Sequence, residues 1–304
     1  MGTTEQYEHL GPREREVVLL GREERLQYLD EPVWISYTRA QKVITLLEDL
    51  MKYPKRPRMK NLLIIGESNN GKTSIVYRFK SLHPDLMVED SNGIAHTQKP
   101  VIVAKMPTGA AENRFYLSIL SEFWKGVNPS DSIAKLHHQV RHQMLQHDVK
   151  ILILDEIHNI LQTTTIKQRL MMDAIKNLGN ELMIPIVLVG TDRAARVLGG
   201  SAELASRFDV ARLPAWDADE EFKGLLKGFE KKLPLKYSSK LYRGKKVKLL
   251  RMFSKGNIGN LHTLLAACAA DAIMTGEECI TEEVIIRNKD TTSVDMKKPR
   301  EILL

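Results

Sequence analysis

Cysteine is scarce in this sequence: Cys268 and Cys279 are the only two in 304 residues. That excludes a disulfide framework and a four-ligand zinc site, and it points to a reducing, cytoplasmic compartment. Long apolar runs are missing too. No stretch approaches the roughly 18 consecutive apolar residues of a membrane-spanning helix, so none is expected. The first 20 residues carry Glu5, Glu8, Arg13, Glu14, Arg15 and Glu16, which leaves no apolar centre for a signal peptide. There is no internal repeat and no low-complexity tract. What remains is ordinary globular composition, 43% hydrophobic and 27% charged, with length for one sizeable core and a smaller satellite.

The net charge of +7 favours polyanionic partners without naming one. Its placement says more. Between Asp217 and Asn260 there are twelve Lys or Arg against five Asp or Glu, a difference of +7, so the rest of the chain is close to neutral. The excess, which includes Lys231, Lys232, Lys236, Lys240, Arg243, Lys245, Lys246, Lys248 and Arg251, fits either a solvated helix face or a polyanion-facing surface.

Residues 1–35 have few apolar periods and read as a loosely ordered arm. Helical spacing runs from Ser36 to Met51, then a basic, proline-broken connector, Lys52 to Arg58. Beyond it short apolar runs alternate with helical patterns. The expected strands are Asn61–Ile65, Val101–Ala104, Ile151–Leu154, Ile184–Val189 and Val210–Leu213. The expected helices are 72–82, 112–124, 132–147, 166–178 and one from about Asp192. This rhythm predicts an α/β fold whose mostly parallel sheet is covered by helices on both faces. After Pro214 the strand signal fades and helices dominate to about Asn288, with a short tail beyond.

Gly66-Glu67-Ser68-Asn69-Asn70-Gly71-Lys72-Thr73 matches G-x-x-x-x-G-K-[ST] in full, between a predicted strand and a predicted helix. Such a loop wraps nucleotide phosphates with backbone N–H groups and the positive end of a helix. Lys72 reaches the β- and γ-phosphates; Thr73 is placed to ligate Mg²⁺, and Ser74 follows on the same turn. Asp155 and Glu156 end a second apolar strand, where open α/β sheets bind ligands. Asp155 would hold Mg²⁺ and Glu156 would orient the attacking water. Thr191, after the next strand, is placed to sense the γ-phosphate, to cap the following helix, or both. Arg207 precedes the last strand and reads as an arginine finger acting in trans or as a surface arginine. The cofactors implied are ATP and Mg²⁺. His137, His138, His142 and His147 share one predicted helix, where the i,i+4 pair His138/His142 has the spacing to bind a metal, but no carboxylate or cysteine lies nearby in sequence. His158 reads as a helix-start residue, and Trp34, Trp124 and Trp216 as packing anchors.

These elements in this order, followed by a helical lid, resemble AAA+ ATPases. More narrowly they resemble the TniB/TnsC family of bacterial transposition ATPases, through Ile65 to Thr73, Leu154-Asp-Glu-Ile157, Val187-Leu-Val-Gly-Thr-Asp-Arg193, Ser206-Arg207-Phe208 and Gly256-Asn-Ile-Gly-Asn-Leu261. The resemblance covers about residues 30 to 285. It implies an AAA+ core over 36–214 and a helical lid over 215–288, flanked by an N-terminal arm (1–35) and a tail (289–304). It also implies ATP-dependent rings or filaments of the protein on duplex DNA, with ATP between subunits. Target-site information would pass to a DDE-type transposase and from a target-selection protein, without any membrane. By resemblance, Lys105, Asn113, Arg114 and Lys125 are the candidate DNA contacts. One departure stands out: the family's lid motif commonly has an arginine where this chain has Asn260, which predicts weaker γ-phosphate sensing and slow hydrolysis. A helicase loader or replication initiator, and a nucleotide-gated signalling module that never touches DNA, are the competing readings.

Overall fold

A computed structural model describes residues 7–89, 93, 95–109, 111–123, 126–199 and 205–292. Trp124, Lys125, Glu203 and the tail from 293 onward lie outside them. The chain divides into two compact units. One comprises Ala40–Ser68 and Lys72–Pro214; the other comprises the described residues up to Arg39, Asn69–Gly71, and those from Ala215 onward.

The first unit is built on a five-stranded parallel sheet. Its strands are β1 (Asn61–Gly66), β4 (Val101–Lys105), β5 (Ile151–Asp155), β6 (Ile186–Gly190) and β7 (Phe208–Leu213), in the order β4-β5-β6-β1-β7. A separate antiparallel hairpin pairs β2 (Leu86–Glu89) with β3 (Ala95–Gln98). The runs of Val, Ile and Leu in β1, β4, β5 and β6 are buried, as parallel strands covered by helices must be. The core joins Leu63, Ile102, Leu152 and Leu188 of the sheet to Phe115, Ile119, Leu136 and Ile175 of helices Glu112–Leu120, Ile133–Gln146 and Thr165–Leu182. Ser132 caps the second of these by accepting the Lys135 N–H at 3.3 Å.

Two of the differences from expectation have local reasons. β6 starts at Ile186 rather than Ile184, because the Pro185 nitrogen cannot donate and Asn61 Oδ1 instead accepts the Ile186 N–H at 2.8 Å. The β2–β3 hairpin was not expected, since Leu86 and Met87 are exposed and each strand is only four residues long.

The second unit packs helices Glu220–Glu230, Lys245–Ser254, Ile258–Thr275 and Glu282–Arg287 around Phe222, Leu226, Leu250, Leu265 and Ala269. Ile258–Thr275 is long and apolar enough by composition to cross a membrane. Its Leu261, Leu265, Cys268, Ala272 and Ile273 are buried in this core. The N-terminal residues correct the expectation of a loosely ordered arm. Pro12–Val17 and Arg22–Leu29 are helices, and Leu29 and Ile35 belong to the same core. Ile35 fits because Gly228 has no Cβ, which would lie 2.7 Å from its Cγ2. Arg25 is buried and forms a bidentate pair with Glu278 at 2.9 and 2.5 Å, while also donating to Pro234 O. Tyr28 and Lys232 both donate to buried Glu14. These internal charges made the segment look solvent-facing in sequence.

Candidate functional site

The phosphate-loop sequence leaves β1 at the C-terminal edge of the sheet, where β1 is flanked by β6 and β7 although both come much later in the chain. Such a reversal of strand order opens a crevice above the strand ends. Gly66 must be glycine, because a Cβ would lie 2.7 Å from Leu213 O. Asn69 (φ +59°) and Gly71 (φ +77°) take left-handed conformations that turn the loop back toward helix Lys72–Leu82. Glu67, Ser68 and Asn69 are exposed, Asn70 is buried, and Thr73 and Ser74 face solvent on the first helical turn.

Lys72 is buried and its ammonium donates to Gly66 O at 3.0 Å and Glu67 O at 2.6 Å. Burial pushes its pKa down, opposed by the charges of Asp155, Glu156, Asp192 and Glu67. A phosphate beside the ammonium would favour its charged form and so offset the cost of burial. Thr73 Oγ1 donates to Asp155 Oδ2 at 2.7 Å, which brings the two candidate Mg²⁺ ligands into one place. One hydroxyl and one carboxylate suit Mg²⁺, which keeps waters and takes further oxygens from bound phosphates. The Thr191 hydroxyl oxygen is buried with no hydrogen-bond partner among the described residues. A buried orphan of this kind at a strand tip fits a ligand or water supplied with the nucleotide.

Glu156 follows Asp155 in a left-handed conformation (φ +59°), with its N–H on Asp155 Oδ1 at 2.8 Å. His158 does sit at the start of a 3₁₀ helix, Ile157–Gln162, but its ring also meets Glu156: Nε2 is 3.2 Å from Oε2. Sequence reasoning also missed Asp192 and Arg212. Arg212 of β7 is in register with Ile65 of β1 and pairs with Asp192, the residue after Thr191.

Lys72, Thr73, Asp155, Glu156 and Thr191 thus gather at one edge of the sheet. Arg207 does not. It precedes Phe208, which pairs with Asn61 at the opposite end of β1, and its Nη1 donates to Asn180 Oδ1 at 3.1 Å. Six residues of extended strand put it about 20 Å from Leu213, the register partner of Gly66. Asn260 belongs to the second unit, where its Nδ2 donates to Ser254 O at 3.3 Å and its Oδ1 accepts from Asn69 at 3.4 Å.

Of the DNA candidates, Lys105 is exposed at the tip of β4, in register with Asp155. Arg114 is exposed and Asn113 half-buried in helix Glu112–Leu120. Among the described residues no group of three or more His, Cys, Asp or Glu is placed to hold a metal, and His137 lies 3.3 Å from Glu181. Several lid lysines have intramolecular roles: Lys232 holds Glu14, Lys236 pairs with Glu278, and Lys246 donates to Ser239 O and Ile280 O.

Residues 25–218 match the family model described as bacterial TniB protein. A search of curated proteins found no match. Among solved structures, ORC2 of Aeropyrum pernix superposes with TM-score 0.59 at 15% identity, over 87% of this chain and 71% of that one. Cdc6p of Pyrobaculum aerophilum gives 0.57 at 16% identity, over 86% and 69%. RuvB of Thermotoga maritima gives 0.52 at 16% identity, over 88% and 74%. At these identities the likeness is one of fold: an AAA+ α/β core with a helical C-terminal region.

Proposed function

The chain belongs to the TniB family, and from that premise we propose that it is an ATP-hydrolysing regulator of DNA transposition. It assembles on duplex DNA and links target-site selection to a DDE-type transposase. In this reading Lys72 and the loop amides hold the phosphates, and Thr73 with Asp155 holds Mg²⁺, which neutralises charge on the phosphates when bound. Glu156 orients the attacking water, and the orphaned Thr191 hydroxyl completes its hydrogen bonding.

The observation that carries the assembly reading is the place of Arg207. At about 20 Å from its own phosphate loop, it can serve a γ-phosphate only in another copy of the chain. ATP between subunits then makes assembly depend on nucleotide, and hydrolysis becomes the reset. Contacts from Lys105 and Arg114 to duplex DNA would be to phosphates, so binding would weaken steeply with salt and read little sequence.

Mixing tests this directly. Lys72→Ala should lose ATP binding, and Arg207→Ala should bind ATP but turn over at least about 100-fold more slowly. Combined, Lys72→Ala subunits supply Arg207 to intact sites, so the mixture should hydrolyse ATP faster than either variant alone. A mixture no faster than its components would refute the trans-acting arginine. Pull-down with a transposase or with a replicative helicase separates the transposition reading from a helicase loader.

A further inference from the structure

Among the described residues the Glu156 carboxylate forms an ion-pair contact with His158, whose Nε2 lies 3.2 Å from Oε2. The ring's other nitrogen, Nδ1, accepts the backbone N–H of Thr191 at 3.5 Å. A ring nitrogen that accepts carries no proton, so the neutral imidazole has its proton on Nε2, where it donates to the carboxylate. The neighbouring polar groups are otherwise engaged. Asp155 accepts from Thr73 and from the Glu156 N–H, and Lys72 donates to two loop carbonyls.

The ring also has a prepared seat. Gly190, the last residue of β6, would with a Cβ stand 3.3 Å from His158 Nδ1 and 2.9 Å from both Ile157 Cγ2 and Ala194 Cβ. Absence of that one methyl lets the segment after β5 close against the tip of β6. The left-handed backbone at Glu156 makes the turn that brings residues 156 and 158 onto the same side. One imidazole therefore touches the carboxylate at the end of β5 and the backbone at the end of β6.

We propose that His158 is a positioning residue for hydrolysis, holding Glu156 through Nε2 and tying its orientation to Thr191 through Nδ1. This rests on the reading of Glu156 as the residue that orients the attacking water. Movement of the β6 tip around Thr191 reaches the glutamate through a single ring, which links γ-phosphate sensing to the catalytic carboxylate.

The amide isosteres separate the two bonds. Gln places its N–H near the position of Nε2, whereas Asn reaches only the position of Nδ1. In His158→Ala, kcat should fall about tenfold, because a misaligned base loses part of the 100-fold or more that such groups contribute. KM for ATP and the affinity for a non-hydrolysable ATP analogue should stay within about twofold, since no phosphate contact is removed. His158→Gln should recover most of the kcat and His158→Asn should not. Adding His158→Ala to Glu156→Gln should cost nothing further, as expected for two groups acting as one.

A readout independent of turnover is the imidazole nitrogen NMR spectrum of nucleotide-free protein. It should report the Nε2–H tautomer for His158, assigned by its loss in His158→Gln, and should shift in Glu156→Gln. A wild-type kcat in His158→Ala would overturn the proposal. So would recovery by Asn but not Gln, which would place the effect at Thr191 alone. Undiminished turnover in Glu156→Gln would instead remove the reading of Glu156 on which the proposal rests.

Discussion

Neighbouring residues of the site divide the labour between binding and chemistry. Glu156→Gln should bind ATP with near-wild-type affinity and lose at least about 100-fold in kcat, measured by steady-state phosphate release. Equal losses in affinity and rate would place Glu156 in binding rather than chemistry. Asn260 bonds to Ser254 O and Asn69, and its amide cannot make the charge-assisted phosphate bond of an arginine. Asn260→Arg is therefore expected to tighten ATP binding and quicken turnover; unchanged values for both would contradict this. Gly256 has φ +69° and would with a Cβ stand 2.3 Å from Trp216 O. Gly256→Ala should destabilise its unit by more than about 1 kcal/mol in a denaturant titration.

Elements differ in how openly the sequence declares them. Strands β1, β4, β5 and β6 were legible because parallel strands covered by helices must be continuous apolar runs, and the phosphate loop because its glycines and Lys72 have few other uses in that spacing. Helices Pro12–Val17 and Arg22–Leu29 were not legible, since their fixed points are buried charges: Glu14 under Tyr28 and Lys232, and Arg25 against Glu278. Hydrophobic periodicity does not register such anchors. Removing one of them should be costly. Arg25→Met removes the bidentate partner of a buried carboxylate, leaving it Lys236 with Nζ at 3.5 Å, and should destabilise by up to about 3–5 kcal/mol. Burial raises the Glu278 pKa, but hydrogen bonds and charge from Arg25 and Lys236 lower it by more, so the net shift is downward. A carboxyl lowered on folding gives stability that is fully present above its unfolded value near about 4.3 and is lost as pH falls through the folded value. Acid titration of the melting temperature should thus be shallower in Glu278→Gln; an unchanged profile would deny the pair this role.

For the whole molecule, the site is legible in sequence only as far as one chain goes. Motif order announced that Lys72, Asp155, Glu156 and Thr191 would meet at the strand ends. The bond between His158 and Glu156 was hidden, because it depends on a left-handed turn that spacing does not reveal. Arg207 showed its remoteness only once β7 was placed beside β1 with Phe208 opposite Asn61. Basic charge in the lid carried less information than its excess suggested, because Lys232, Lys236 and Lys246 hold the fold together. Exposed lysines and arginines such as Lys105, Arg114, Lys231 and Lys245 remain for a polyanion.

If ATP drives assembly of this chain on duplex DNA, co-sedimentation with DNA will reveal it. Protein and duplex would be compared with a slowly hydrolysed ATP analogue, with ADP and without nucleotide, using Lys72→Ala as control. Large protein–DNA assemblies are expected with the analogue alone, absent in Lys72→Ala and dissolving as salt rises. Monomers without DNA affinity under every condition would contradict it and leave only the nucleotide site standing.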